Sequence, residues 1–192
     1  MSRNNPILYI VIPCYNEEQV LPHTNPMFVG KIEELVKNQE VHPNSKVMYV
    51  NDGSKDKTWE LIQEYASSNP FVVGISQSRN RGHQSSVLAG MYEAPEFADI
   101  VITIDADGQD DIHCMNQMIA EYKSGSEIVY GVRDNRDTDS AFKRITAEGF
   151  YKVMHLFGAD VVFNHADYRL VSKRFIHELA KFKEVNLFLR GI

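Results

Sequence analysis

This sequence predicts an α/β fold with a mostly parallel central sheet and helices on both faces, and three observations lead there. First, strand-like apolar runs at 8–12, 46–50, 72–75, 100–104 and 127–130 alternate with stretches of helical period, which is the rhythm of βαβ units. Second, the run Ile-Val-Ile-Thr-Ile at 100–104 is apolar on both faces, as a central strand covered by helices on each side must be. Third, three polar clusters directly follow strands: Tyr15-Asn16-Glu17, Asn51-Asp52-Gly53-Ser54 and Asp105-Ala106-Asp107. Open α/β sheets bind ligands in the crevice outside their strand carboxyl ends, so the three clusters are expected to converge there.

The elements between the strands follow from local signals. Pro22 and Pro26 are expected to break the first helix ahead of an apolar stretch at 28–36, because proline removes a backbone donor and crowds the preceding turn. Ser54 or Asp56 can cap a helix that buries Trp59, Ile62 and Tyr65, and Asp110 or Asp111 can open one carrying Met115, Met118, Ile119 and Tyr122. The polar stretch 78–84 precedes a helix with Val87, Leu88 and Met91. Gly82 permits a close turn there, and the N–H groups of a helix start favour an anion. His83 reads more readily as a surface or capping residue than as a base. Beyond Tyr130 the pattern predicts a polar loop at 133–140, an amphipathic helix at 141–157, and a last strand and helix from Tyr168 onward.

A chain of 192 residues with 43% apolar content suits a single domain with one core. Cys14 and Cys114 stand far apart without metal-ligand spacing, as unpaired core thiols of a reducing compartment do. The apolar run at 7–12 is cut short by Pro13, and no run reaches the length of a signal sequence or a membrane span. A cytoplasmic or cytoplasm-facing location is therefore expected. A net charge of −6 argues against general nucleic-acid binding, which needs a basic surplus. That charge is uneven: from Tyr168 onward six basic residues face two acidic ones, a balance of +4, against 14 basic and 24 acidic before it, a balance of −10. Such an end can meet an anionic membrane surface.

The chemistry concentrates in Asp105-Ala-Asp-Gly-Gln109. Two carboxylates one residue apart with a neutral oxygen beyond them suit Mg²⁺ or Mn²⁺, which complete their shells with water and substrate phosphate oxygens. A helix cap would need only one acid, whereas this segment has four, at 105, 107, 110 and 111. The rival enzyme reading is an aspartyl phosphatase of the haloacid dehalogenase type with Asp105 as nucleophile. It expects Thr or Val where Gln109 stands and a later acidic pair, and it leaves three upstream strands unused. Asp52 offers a carboxylate to an imide N–H such as that of uracil, although the same residues alone make an ordinary turn.

The ordered set Val-Ile-Pro-Cys-Tyr-Asn-Glu-Glu, Asn-Asp-Gly-Ser, Arg-Asn-Arg-Gly-His-Gln, Asp-Ala-Asp-Gly-Gln-Asp, Gly131-Val-Arg133, Ala166-Asp-Tyr-Arg-Leu-Val-Ser and Asn186-Leu-Phe-Leu-Arg-Gly resembles the family-2 glycosyltransferases of GT-A fold. Within them it is most similar to the polyprenyl-phosphate glycosyltransferases. The resemblance implies a GT-A-like, Rossmann-like sheet and an inverting, metal-dependent transfer of a hexose from a nucleotide sugar, a UDP-sugar on the bactoprenol-like motifs, to a polyprenyl phosphate lipid. It implies nucleotide-sugar contacts at Pro13, Tyr15, Glu17, Asp52, Asp105, Ala106 and Arg133, metal ligands at Asp105, Asp107 and Gln109, and catalytic roles for Asp107 and for Asp167 as candidate base. The sequence departs from the family pattern at Gly108, where Leu or Met is more usual, and at Glu148, where some relatives carry Arg; Lys143 and Arg144 are the substitute candidates for the acceptor phosphate. It also implies that these residues are the soluble catalytic part of a longer, membrane-anchored protein working at the cytoplasmic face. A homo-oligomer is compatible with it. The other readings are a soluble family-2 enzyme acting on a glycan or other hydroxyl, and a nucleotide-sugar-binding module without catalysis.

Overall fold

The computed structural model describes residues 3–132 and 165–181. Strands β1 (Leu8–Cys14), β2 (Lys46–Asn51), β3 (Val72–Ser76), β4 (Ile100–Thr103), β5 (Ile128–Val132) and β6 (His165–Ser172) form one sheet in the order β3-β2-β1-β4-β6-β5. β1 lies parallel to both β2 and β4, and β2 parallel to β3. β6 runs antiparallel to both β4 and β5. The helices are α1 (Leu21–Lys37), α2 (Thr58–Ser68), α3 (His83–Glu93), α4 (Cys114–Ser124) and α5 (Lys173–Leu179), with a short 3-10 turn at Ala94–Glu96.

The period-two alternation of the strands divides the core into two layers. Leu8, Ile10, Ile12, Ile100 and Ile102 pack on one face with Phe28 and Ile32 of α1, Ile62 of α2 and Met118 and Ile119 of α4. Tyr9, Val11, Val50, Val101 and Val171 pack on the other with Val87 and Met91 of α3 and Ile176 and Leu179 of α5. Each such large apolar side chain contributes about 1.5–3 kcal/mol when fully buried, and all seven residues of β1 are buried. This is the two-faced burial expected from the run at 100–104. On the second face α3 approaches the sheet closely: a Cβ on Gly90 would stand 2.4 Å from Val11 Cγ1 and 2.9 Å from Val50 Cγ2.

The expected break in the first helix does not occur, for α1 runs unbroken through both prolines. Pro22 falls in the opening turn, where its missing N–H has no helical partner to lose. Pro26 lies inside, and the roughly 3 kcal/mol that an interior proline costs is offset by burying Leu21, Phe28, Val29, Ile32 and Leu35 along one stripe. The caps also differ in detail. The residue ahead of α2 is Lys57, and Asp56 serves from one position further out by accepting the Thr58 N–H at 3.1 Å. Ser54 instead accepts the Asn16 N–H. Asp111 accepts the His113 N–H at 2.9 Å, forming the turn that leads into α4. The polar loop at 133–140 and the helix at 141–157 lie outside the described residues.

The chain lays down β1, β2 and β3 outward on one side and then crosses back to place β4 on the other side of β1. The carboxyl ends of β1 and β4 are thus the point where the strand order reverses, and loops leaving in opposite directions open a crevice there.

Candidate active site

The loops after β1 and β2 are laced together. Asn16 adopts a left-handed φ of 57°, donates its N–H to Ser54 Oγ at 3.0 Å and accepts the Lys55 N–H on its side chain at 2.8 Å. Glu17 N–H reaches Thr58 Oγ1 at 2.7 Å, Glu18 N–H reaches Asp56 Oδ2 at 3.1 Å, and Glu18 Oε2 accepts the Lys57 N–H at 3.0 Å. Each of these bonds uses a polar side chain of the loops after β1 and β2 or of the first residue of α2. Together they fix the segment that carries Tyr15 and Glu17.

The second loop also holds the third. Asp52 is 2% exposed, and its two carboxylate oxygens accept the N–H groups of Arg81 at 2.7 Å and Gly82 at 2.9 Å. Charge-assisted bonds of this kind are about twice as strong as neutral ones. Beside it Gly53 has φ +64°, and a Cβ there would stand 2.6 Å from the backbone carbonyl carbon of Arg79 and 2.7 Å from Asn80 N. Only glycine permits this approach. The loop from Arg79 to Gly82 is therefore pinned against β2, and α3 starts from it, with Ser86 N–H closing the first turn on Gly82 O at 3.1 Å.

A cavity of about 200 Å³ lies among these loops, lined by Pro13, Cys14, Tyr15, Glu17, Asp52, Asn80, Gly82, His83 and Ser86. The acids after β4 flank it. Asp105 Oδ1 stands 3.6 Å from His83 Nε2. Asp107 is exposed and accepts the Gln109 N–H on Oδ1 at 3.0 Å. Burial raises the Glu17 carboxyl above its ordinary range, and the charges of Asp107, Asp56 and Asp105 push it further the same way. Acids from two strand ends thus share one field. Gly108, at φ +70°, lets their loop turn against α1, for a Cβ there would stand 3.2 Å from Thr24 Cγ2. The left-handed backbone is a physical reason for glycine where the family pattern has a larger residue.

The donor set suits a hard cation. The donors beside the cavity are carboxylate oxygens, the ligand type that Mg²⁺ and Mn²⁺ take, and among the described residues no group of three or more His, Cys, Asp or Glu is arranged to hold a metal.

Most of the residues singled out from sequence come together here. Pro13, Tyr15, Glu17 and Asp52 line the cavity, and Asp105 and Asp107 stand beside it. Ala106 is buried in the core, leaving its backbone as what it can offer a ligand. Gln109 is exposed next to Asp107. The β4–β6 register ends at Thr103 opposite Arg169, short of Asp105 and Asp167, and the Asp167 side chain lies outside the described residues. Arg133, Lys143, Arg144 and Glu148 lie outside them as well. Sequence reasoning did not single out Asn80, His83 or Ser86 as contacts, although the motif Arg-Asn-Arg-Gly-His-Gln and its placement directly after β3 pointed to that loop. Lys173 and Arg174, part of the basic end, lie on a larger cavity of about 430 Å³ with Arg3, Asp99 and Glu127. That cavity is at the opposite rim of the sheet, where β4 and β5 begin and β6 ends. Among the described residues no helix is long and apolar enough to cross a membrane.

A mostly parallel sheet with an acidic crevice at its switch point is the architecture of the GT-A glycosyltransferases, and solved structures of that fold match it. A mannosyltransferase from Pyrobaculum calidifontis matches with a TM-score of 0.61 at 15% identity, over 97% of this chain and 50% of its own. Staphylococcus aureus TarS matches with a TM-score of 0.58 at 11% identity, over 92% and 50%. Residues 9–180 match the family model for glycosyl transferase family 2, and the chain belongs to that family. The uncharacterized glycosyltransferase YkoT of Bacillus subtilis is 45% identical over the whole chain, which covers 57% of that relative. The bactoprenol glucosyl transferase of Shigella phage SfV is 36% identical over 95% of the chain and 57% of its own length. The chain thus spans a little over half the length of these relatives. Membership of a glycosyltransferase family sets the phosphatase reading aside, since β1, β2 and β3 and their loops are integral to the site rather than idle.

Proposed function

We propose that this chain is the catalytic part of an inverting, metal-dependent hexosyltransferase that moves a hexose from a UDP-sugar to a polyprenyl phosphate at the cytoplasmic face of a membrane. The observation that carries this reading is the convergence of Glu17, Asp52, Asp105 and Asp107 from the ends of β1, β2 and β4 around one small cavity. The lipid acceptor is supported by relatives named bactoprenol glucosyl transferase at 36% identity.

In this reading the nucleotide lies over the β1 and β2 ends. Tyr15, 40% exposed, offers its ring to the base, and Asp52 accepts the imide N–H. A carboxylate presents about four lone-pair sites, so the two backbone bonds leave acceptor capacity for that contact. Asp105, Asp107 and Gln109 would hold a Mg²⁺ or Mn²⁺ ion, which would supply charge stabilisation to a departing diphosphate. An acceptor phosphate oxygen forms the new bond at the anomeric carbon as the bond to the diphosphate oxygen breaks, inverting the centre. A phosphate monoester is largely ionised at neutral pH, its second pKa being about 6, so the lipid acceptor needs no strong base. A hydroxyl acceptor would call on Asp167. Arg133, Lys143 and Arg144 are the cations proposed for the donor and acceptor phosphates.

The test is a screen of radiolabelled nucleotide hexoses against polyprenyl phosphate with Mn²⁺. UDP-hexoses are expected to label the lipid at least about tenfold faster than GDP-hexoses, a difference of about 1.4 kcal/mol. A clear guanosine preference overturns the donor assignment. Labelling of a glycan but not the lipid overturns the acceptor assignment.

A further inference from the structure

Resting on the reading of Asp105 and Asp107 as ligands of a divalent ion, we infer that His83 is a positioning residue that holds Asp105 in place for that ion. His83 is the first residue of α3, lines the cavity, and sets Nε2 3.6 Å from Asp105 Oδ1, with side chains 42% and 40% exposed respectively. That separation is longer than a direct hydrogen bond; it acts through the field of the ring N–H or through a bridging water.

The position of His83 is determined from both ends of α3. The Asp52 carboxylate holds Arg81 N–H and Gly82 N–H at 2.7 and 2.9 Å, one and two residues ahead of it. Gly53 lets the same loop close onto β2 at a distance no side chain would permit. Further along, Gly90 seats α3 directly on Val11 and Val50. An exposed histidine on a mobile loop would sample many positions, whereas this one is delivered by backbone that the sheet fixes.

The acids need such support. The charges of Asp107 and Asp105 both act on Glu17, and like charges drive flexible carboxylates apart. Asp107 Oδ1 is held by the Gln109 N–H at 3.0 Å, and Asp105 Oδ1 faces His83. Asp107 thus has a backbone N–H donor on one oxygen, and Asp105 has the His83 ring nitrogen 3.6 Å from one of its own. Partners of this kind orient metal-ligating carboxylates, and losing one typically costs about 10–100-fold in metal affinity.

The experiment compares wild type, His83→Leu and His83→Gln by Mn²⁺ binding, read from the electron paramagnetic resonance signal of the free ion with uridine diphosphate present. Thermal midpoints are measured alongside. His83→Leu is expected to weaken Mn²⁺ binding about tenfold with an unchanged midpoint. His83→Gln, which keeps an N–H donor of similar reach, is expected to stay within about threefold. Wild-type affinity in His83→Leu overturns the assignment and leaves the metal reading intact, and a Gln variant as weak as the Leu variant overturns the donor role. A wild-type protein that takes up no Mn²⁺ under these conditions overturns both.

Discussion

Asp107→Asn is expected to lower kcat/KM for sugar transfer about a thousandfold, some 4 kcal/mol of transition-state stabilisation, while the protein folds as the parent does. Asp107 is exposed beyond the end of β4, so no core packing depends on it. Its Oδ1 accepts the Gln109 N–H at 3.0 Å, and an asparagine Oδ1 accepts that bond equally well, so the turn at Gly108 persists. What the substitution removes is the negative charge, and a bound ion that stabilises developing charge is worth several kcal/mol. The check is a rate measurement with labelled donor beside a thermal melt. Retained turnover with unaltered metal dependence would contradict the placement of the ion.

Gly53→Ala is expected to lower the thermal midpoint by roughly 5–10 °C and to raise the donor KM at least about tenfold. Two costs combine. A left-handed backbone costs a residue with a Cβ about 1–2 kcal/mol, and here the new atom would meet Arg79 and Asn80 backbone at 2.6–2.8 Å, which cannot yield as a side chain tip does. A total of about 2–3 kcal/mol shifts the midpoint of a chain this size by about 2–4 °C per kcal/mol. The affinity loss follows because the displaced loop carries Asn80, Gly82 and His83, all on the cavity wall. Gly125→Ala serves as control, since Gly125 also has positive φ, +131°, but nothing lies within 4 Å of its Cβ position. If the two variants melt alike and Gly53→Ala keeps its donor KM, the loop is not pinned as described.

The contrast between these positions shows what the sequence made legible. The strands could be read because burial on both faces leaves unbroken apolar runs, and β4 with its following acids was found within one residue of its observed end. The convergence of the polar clusters was legible too, because strand carboxyl ends of a parallel sheet share one edge. Non-local backbone contacts were not. Asp52 binds N–H groups 29 and 30 residues away, and a backbone donor carries no residue-type signature, so Asn-Asp-Gly-Ser read as a turn with a ligand contact rather than as a clamp on the next loop. His83 was passed over for the same reason: its proximity to Asp105 arises from that clamp and from the crossing of α3 to β4. Pro26 misled because its local cost is visible in sequence while the buried stripe of α1 that outweighs it is a tertiary fact.

Asp105 and Asp107 are proposed to hold a divalent ion against the diphosphate of a nucleotide sugar. The most direct measurement is a crystal of the protein grown with Mn²⁺ and uridine diphosphate, read by anomalous scattering at the manganese edge. One strong peak within coordination distance of an Asp107 or Asp105 carboxylate oxygen and of a diphosphate oxygen, about 2.0–2.2 Å for a small hard cation, is the predicted result. Nucleotide bound in the cavity with no manganese at these carboxylates, or manganese at some other site, would contradict it.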